Sequence, residues 1–347
     1  MRIIDFTTVI VQAWADYAPH RRIFSIVDIS ARVSTNHVYK ITLHDGFVIA
    51  KLSYFGQYEH FVEDHNIIHQ LGALLPSPYQ NFLANSYTYK DKVFTYRSRD
   101  ELKDVWVVFY HPVEVLEKLP RRLDEKRIRS LGQELANFHL ACTAVAPQLI
   151  SSSKTLDSDI LSLLKRLETG EGRFEHGLHM DIIKEQCDLF LTNSGALREK
   201  TGFAKIPVFI DWNIGNFSVT SDFKFYSRWD YDWFRMSSRI MDFYFFSRVV
   251  SDIGDRTVFS YIVDPLMEDR FMIFLKEYHQ IYPLTEEEVR FIKEAYRFFI
   301  LNYVIKDGRY FFHDMYANRL QYLAYSEYFP QLERRFLAER ILKALNI

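Results

Sequence analysis

The sequence predicts an α+β fold in two lobes, a small antiparallel sheet with one main helix followed by a larger, mostly helical part. Three observations carry this. "VYKITLHDGFVIAKL" (38–52) is two apolar, β-branched runs joined around Asp45-Gly46, a pair that tolerates positive φ and marks a hairpin. After His111-Pro112 the spacing of apolar residues changes from alternation to a helical period. From residue 239 onward nearly everything reads as helix. The boundary falls at residue 110, so 1–110 forms the N-terminal lobe and 111–347 the C-terminal lobe. No long flexible linker separates them, so the two should pack together.

The elements follow in order. "MRIIDFTTVIVQAWADYAPH" carries Asp5 within its apolar run and reads as an amphipathic helix, not a signal peptide. After the hairpin, residues 59–78 place Phe61, Ile67, Ile68, Leu71 and Leu74 near helical spacing, with Pro76 and Pro78 as the stop. "NSYTYK" (85–90) and "DVWVVFY" (104–110) supply two more strands. In 123–145, Ile128, Leu131, Leu135, Phe138 and Cys142 share one helix face, and Leu123-Asp124-Glu125 gives an acidic start that suits the helix dipole. Helices at 158–170 and 179–195 come next, the second stopping near Gly195. Strands return over 203–232, where "NFSV" and "FKFYSRW" form a hairpin about Ser221-Asp222. Gly254 and Pro265 interrupt the helical remainder.

Composition narrows the function classes. At 347 residues, 48% hydrophobic and 25% charged, the chain fits one large or two coupled globular domains. Aromatic residues at 16% predict a ring-rich core. A net charge of −2 with both signs interspersed leaves no basic field for nucleic acid. Cys142 and Cys187 alone make neither a disulfide framework nor a full zinc site, and fit a reducing compartment. No apolar run is long enough to span a bilayer. The expectation is a cytoplasmic monomer or homodimer with no nucleic-acid or membrane partner.

Three charged positions suggest chemistry. Lys51 lies late in the second hairpin strand, where it faces away from Ala50. It is either a solvent-facing lysine or an ammonium aimed at phosphate oxygens. In the second case its flexible stem needs a carboxylate to hold it. The helix after it offers Glu59, Glu63 and Asp64; Glu63 is chosen because Ile67 and Leu71 continue its stripe, with Asp64 the nearest rival. "FIDWNIGNFSV" (209–219) places Asp211 and Asn216 at the two ends of a short loop between strands. That spacing fits a tight turn, or a loop aiming an acid and a metal ligand at a phosphate. Asp230, at the end of the following hairpin, can return beside Asn216. One carboxylate and one amide oxygen suit Mg²⁺ that stays bound to phosphates and water. Asp211 is then left to orient a hydroxyl and accept its proton, a phosphoryl-transfer arrangement.

Taken together, Lys51, Glu63, "FIDWNIGN" (209–216), and "WDYD" (229–232) with Asp242 twelve residues after Asp230 resemble the aminoglycoside phosphotransferase and choline kinase-like family. "LGQELANFHLA" (131–141) is similar to that family's helix ending in Leu-x-x-x-His. The likeness runs in order through nearly the whole chain. It implies the two-lobed protein-kinase-like fold and an ATP- and Mg²⁺-dependent transfer of the γ-phosphate to a hydroxyl of a small molecule such as an amino alcohol, a sugar or an aminoglycoside. By the resemblance Asp211 is the catalytic base, and Asn216 and Asp230 hold magnesium. Lys51 with Glu63 holds the α- and β-phosphates of ATP. Val108 to His111, with Phe109 between, form the hinge whose backbone meets the adenine edge. His139 and Asp242 are structural.

The chain also departs from the family pattern. Phe209 and Ile210 stand where the family has His and Gly before the aspartate. The phosphate-covering loop, "ISARVSTNHVY" (29–39), has no glycine, so Ser34, Thr35 and Asn36 are the expected donors there. These departures motivate an alternative, a kinase-like protein that binds a nucleotide or a partner without turnover. Trp212, Tyr231, Trp233 and Phe234 flank the acids, and fit either a substrate-stacking role or an aromatic core.

Overall fold

Period-two alternation assigns the strand faces of the N-terminal lobe. In the computed structural model, which describes residues 6–31, 37–54, 56–100, 104–252 and 260–347, helix α1 (Phe6–Tyr17) precedes strands β1 (Ser25–Asp28), β2 (His37–Leu43) and β3 (Gly46–Ser53). Helix α2 (Tyr58–Leu74) follows, then a two-stranded ribbon of β4 (Thr88–Tyr89) and β5 (Lys92–Val93), then β6 (Thr95–Arg99) and β7 (Asp104–Tyr110). The main sheet is antiparallel with order β1-β2-β3-β7-β6. Its hairpin pairs Leu43 with Gly46, and the glycine takes the positive φ of 141° that the turn requires.

Val48, Ala50 and Leu52 of β3 and Val105, Val107 and Phe109 of β7 face α1, and pack on Val9, Ile10, Ala13 and Trp14. The alternate residues, Ile49 and Lys51 on β3 and Val108 and Tyr110 on β7, therefore face α2 and the rest of the molecule. The strand expected at 85–90 is present in part, with Ser86 bridging Tyr110 at the end of β7 and Thr88–Tyr89 forming β4, while the strand that runs along β7 is Thr95–Arg99. "TYRSR" has no apolar alternation because an edge strand need not bury a face.

In the C-terminal lobe α3 (Glu125–Val145) starts at Asp124, whose side chain accepts from the Arg127 N–H. Helices α4 (Leu156–Leu167), α5 (Gly170–His176) and α6 (Met180–Thr201) follow. The expected stop near Gly195 is corrected: α6 continues to Thr201 and ends at Gly202, which adopts φ 55°. A glycine inside a helix weakens it by only about 1 kcal/mol, whereas a left-handed C-terminal glycine ends it. Strands β8 (Ile206–Val208) and β11 (Arg235–Ser237) pair around a second ribbon, β9 (Phe217–Val219) with β10 (Phe225–Arg228).

The remainder is helical: α7 (Phe243–Val250), α8 (Asp269–Ile281), α9 (Glu286–Phe299), a π-helical stretch (Ile300–Lys306), α10 (Gly308–Phe311), α11 (Asp314–Leu323), α12 (Phe329–Arg335) and α13 (Ala338–Leu345). Gly254 lies outside the described residues, and Pro265 sits in a single 3-10 turn, Asp264–Met267. No helix among the described residues is long and apolar enough to cross a membrane. The aromatic residues fill the core as composition suggests. Trp212, Tyr231, Trp233 and Phe234 are all buried there, so of the two roles weighed for them the structure selects core packing.

Candidate active site

Lys51 leaves β3 on the face toward α2 and is 5% exposed. Its Nζ lies 2.9 Å from Asp230 Oδ1 and 2.5 Å from Asp232 Oδ1. Burial works against the ammonium, but the two carboxylates outweigh it and keep Lys51 protonated. Glu63 is not its partner, and neither is Asp64. Glu63 Oε1 accepts from the Ser152 hydroxyl at 2.8 Å and the Ser153 N–H at 2.7 Å. Asp64 pairs with Lys154, which also donates to the Phe234 carbonyl at 2.9 Å. The acidic edge of α2 thus turns toward residues 152–154, a rotation that the apolar stripe alone left open. From α2 it is His65 that feels the Lys51 charge, while its ring bonds the Tyr110 hydroxyl at 2.6 Å and the Phe61 carbonyl at 2.8 Å. Burial, reinforced by Lys51 and Lys154, lowers His65 to about 3 and leaves it neutral.

The 209–216 loop is set from below by Asp242. Its Oδ1 accepts the N–H groups of Phe209 (2.9 Å) and Ile210 (2.6 Å), and its Oδ2 meets His139 Nε2 at 3.0 Å. The second ring nitrogen of His139 meets the Tyr278 hydroxyl at 2.7 Å. Burial pushes the His139 pKa down, so a neutral ring donates to Asp242 and accepts from Tyr278. Ile210 has φ 60°, and the Asp211 N–H reaches back to the Phe209 carbonyl at 2.6 Å, closing a tight three-residue turn. Asp211 is the last residue of that turn. Its carboxylate accepts from the Asn213 N–H (3.3 Å) and from Asn216 Nδ2 (3.0 Å).

Because the Asn216 amide nitrogen is used by Asp211, the amide oxygen is its remaining side-chain acceptor. The Trp229 N–H donates to the Asn216 carbonyl at 3.0 Å, which brings Asp230 alongside. Asp230 itself has φ 67°, a left-handed conformation that an aspartate tolerates. Burial raises its carboxyl, yet Lys51 outweighs burial and holds it below the usual range.

Lys51, Asn216 and Asp230 line one cavity of about 390 Å³ between the sheet and the loops, roofed by apolar side chains that include Val38, Ile49 and Val113. Tyr110 and His111 border it as well. Phe109 does not: its side chain is in the α1 core, 5.1 Å from the Trp14 ring, and its carbonyl accepts from the Tyr87 N–H. Strand alternation requires this, since Tyr110 takes the cavity side. The His111 N–H is given to the Asn85 carbonyl and its ring stacks on Tyr87, so its backbone N–H does not point at a base. Ser34, Thr35 and Asn36 lie outside the described residues.

Among the described residues that line the cavity, Asp230 brings a carboxylate and Asn216 an amide, a hard, incomplete set that suits a magnesium ion sharing its shell with phosphates and water. Among the described residues no cluster of three or more His, Cys, Asp or Glu could hold a metal unaided. Sequence reasoning missed Asp232, although "WDYD" displayed it.

No protein-family model matches the sequence, and no curated protein matches it. Solved structures do match. An amicoumacin kinase in complex with AMP-PNP, Ca²⁺ and Ami is 14% identical with TM-score 0.64, over 96% of this chain and 95% of that one. The chain has the fold of this small-molecule kinase. Within the same protein-kinase-like fold, a microcompartment-associated aminopropanol kinase is 15% identical with TM-score 0.57, over 97% of this chain and 98% of its own. A GDP complex of wild-type aminoglycoside 2'-phosphotransferase-IIIa is 14% identical with TM-score 0.57, over 96% of this chain and 100% of its own. The protein-kinase-like fold expected from the sequence is the one observed, a small antiparallel sheet lobe and a mostly helical lobe.

Proposed function

We propose that this chain is an ATP- and Mg²⁺-dependent phosphotransferase that moves the γ-phosphate to a hydroxyl of a small molecule. The observation that carries the reading is one cavity fed from three distant segments, with Lys51, Asn216 and Asp230 in its wall and Asp211 hydrogen-bonded to Asn216. Residues 1–110 are proposed as the nucleotide-binding lobe and 111–347 as the catalytic and acceptor-binding lobe. The apolar roof covers the purine, and Lys51 grips phosphate oxygens, with Asp232 in place of an α2 glutamate holding its stem. Asn216 and Asp230 are the magnesium ligands; the bound ion would neutralise the charge on the phosphates. Asp211 orients the acceptor hydroxyl and takes its proton as the oxygen attacks phosphorus and ADP leaves. The structurally similar proteins are kinases and phosphotransferases of small molecules, which supports placing this chain in the aminoglycoside phosphotransferase and choline kinase-like family. A cytoplasmic monomer or homodimer fits this role.

The test is a thermal-shift titration with MgATP and MgGTP, followed by a phosphotransfer screen over amino alcohols, sugars and aminoglycosides. Asp211→Asn should lower turnover about 1000-fold while leaving the MgATP-induced shift in place. No shift at millimolar nucleotide together with no transfer to any acceptor would sink the reading.

A further inference from the structure

Phe209 stands where the aminoglycoside phosphotransferase and choline kinase-like pattern has a histidine, and among the groups packed on its ring is a cation. Arg228, the last residue of β10, is fully buried. Its guanidinium carbon lies 4.6 Å from the Phe209 ring centroid and 4.2 Å from that of Trp212. One nitrogen, Nη2, donates to the Asp211 carbonyl at 2.9 Å. Nε and Nη1 make no hydrogen bond among the described residues. A buried guanidinium with one hydrogen bond is expensive unless its other donors are covered by ring faces and balanced by nearby negative charge. Both act here, since the two rings cover it and Asp242 and Asp211 are the leading negative charges on it, and they offset the cost of burial in part.

The backbone of Arg228 is itself anchored. Its N–H donates to the Phe82 carbonyl at 2.6 Å, and its carbonyl accepts from the Ala84 N–H at 2.9 Å and the Tyr231 hydroxyl at 3.0 Å. The side chain thus connects a fixed strand end, two residues before Asp230, to the carbonyl of the residue proposed as the base. Asp242 holds the two N–H groups before Asp211, and Arg228 holds the carbonyl after its Cα. A histidine at 209 would offer the guanidinium a poorer, more polar face, and once protonated would repel it.

We propose that Arg228 is a positioning residue for Asp211, and that Phe209 is its aromatic seat in place of a polar residue holding the loop. The pair fixes the loop without touching the reacting atoms. This inference rests on the phosphotransferase reading for its catalytic consequence, but not for its structural content, so two measurements separate them. The first is amide hydrogen exchange of wild type, Arg228→Gln, Arg228→Lys and Phe209→Leu. Exchange of 211–216 should rise about tenfold in Arg228→Gln and less in Arg228→Lys, while α9 stays protected. The second is steady-state kinetics of MgATP turnover with water, or with any acceptor found by the screen. There kcat should fall about 100-fold in Arg228→Gln with KM for ATP within about twofold, and Arg228→Lys should recover part of the loss. Phe209→Leu should weaken the same loop, and adding it to Arg228→Gln should do little more. Loop exchange and kcat unchanged in both Arg228 variants would overturn the proposal, as would α9 losing protection in step with the loop. If wild type shows no MgATP turnover or binding, the phosphotransferase reading fails, and hydrogen exchange still decides whether Arg228 positions the loop.

Discussion

Asp211 owes its direction to its neighbour. A β-branched residue at φ 60° is strained by about 1–3 kcal/mol, and Ile210 persists there because Asp242 accepts from its N–H and from that of Phe209. Glycine would take the turn freely, but the isoleucine side chain is buried in the core, so packing offsets the strain. The same scale decides the Lys51 partner. Asp232→Asn keeps the shape and removes the nearest charge on Lys51; KM for ATP should rise about tenfold, whereas Glu63→Gln should leave it within about twofold. Initial-rate kinetics on the two variants check this, and equal effects would return Glu63 to the site. Lys51, Asp211, Asn216 and Asp230 were legible because each is a charged or amide residue at a recognisable strand or loop end. The partner of Lys51 was not, because the rotation of α2 takes both candidate carboxylates, Glu63 and Asp64, to residues 152–154, and the acids that pair with Lys51 instead, Asp230 and Asp232, are distant in sequence, where no local pattern reaches.

Helix α2 shows what an element gains from such a rotation. Its acids serve the junction between the lobes: Glu63 binds Ser152 and Ser153, Asp64 binds Lys154, and Gln70 bonds both the Gln148 carbonyl and the Ile150 N–H at 3.0 Å. The helix is thereby fastened to the chain segment after α3. That segment in turn leads into α4, capped by Thr155 with Ser158 in reciprocal hydrogen bonds. A second contact between elements depends on the absence of a side chain. A Cβ at Gly132 of α3 would lie 2.5 Å from the Phe274 carbonyl of α8. Gly132→Ala should therefore cost about 1–3 kcal/mol by forcing the two helices apart, against the small gain that alanine normally brings to a helix. A denaturant midpoint higher than that of wild type would show that the two helices accommodate the added methyl group. Sequence periodicity found both helices; it carried no signal for their distance, because closeness is a property of two faces and not of one pattern.

At the scale of the whole molecule, buried charge sets the response to acid. Asp159 lies between Arg235 and Lys306, so it joins α4, β11 and the π-helical stretch. Burial raises its carboxyl, but the two cations outweigh burial and bring it down to about 2 from 3.8. The unfolded chain binds the proton first, so this stabilisation, about 2 kcal/mol, is complete above pH 3.8 and is lost as pH falls through about 2. His65, buried neutral, acts in the same direction between 6.5 and about 3. Asp64, pushed up to about 6 by burial, acts the opposite way between 3.8 and 6. Urea midpoints should therefore change little between about pH 4 and 6 and fall steeply below about pH 4. Asp159→Asn should lower the midpoint at pH 7 and flatten the acid limb; an acid limb unaltered in that variant would remove Asp159 from the account. The sequence by itself determined the two-lobed α+β fold, the hairpin around Asp45-Gly46 and four polar residues of the candidate site, three charged and one amide, because alternation, helical spacing and turn chemistry are local and written in order along the chain. The tertiary structure alone decided that Lys51 belongs to Asp230 and Asp232, that Phe109 faces α1, and that Phe209 seats Arg228. Those pairings join residues distant in sequence, and their partners are chosen by which faces the packed core turns toward one another.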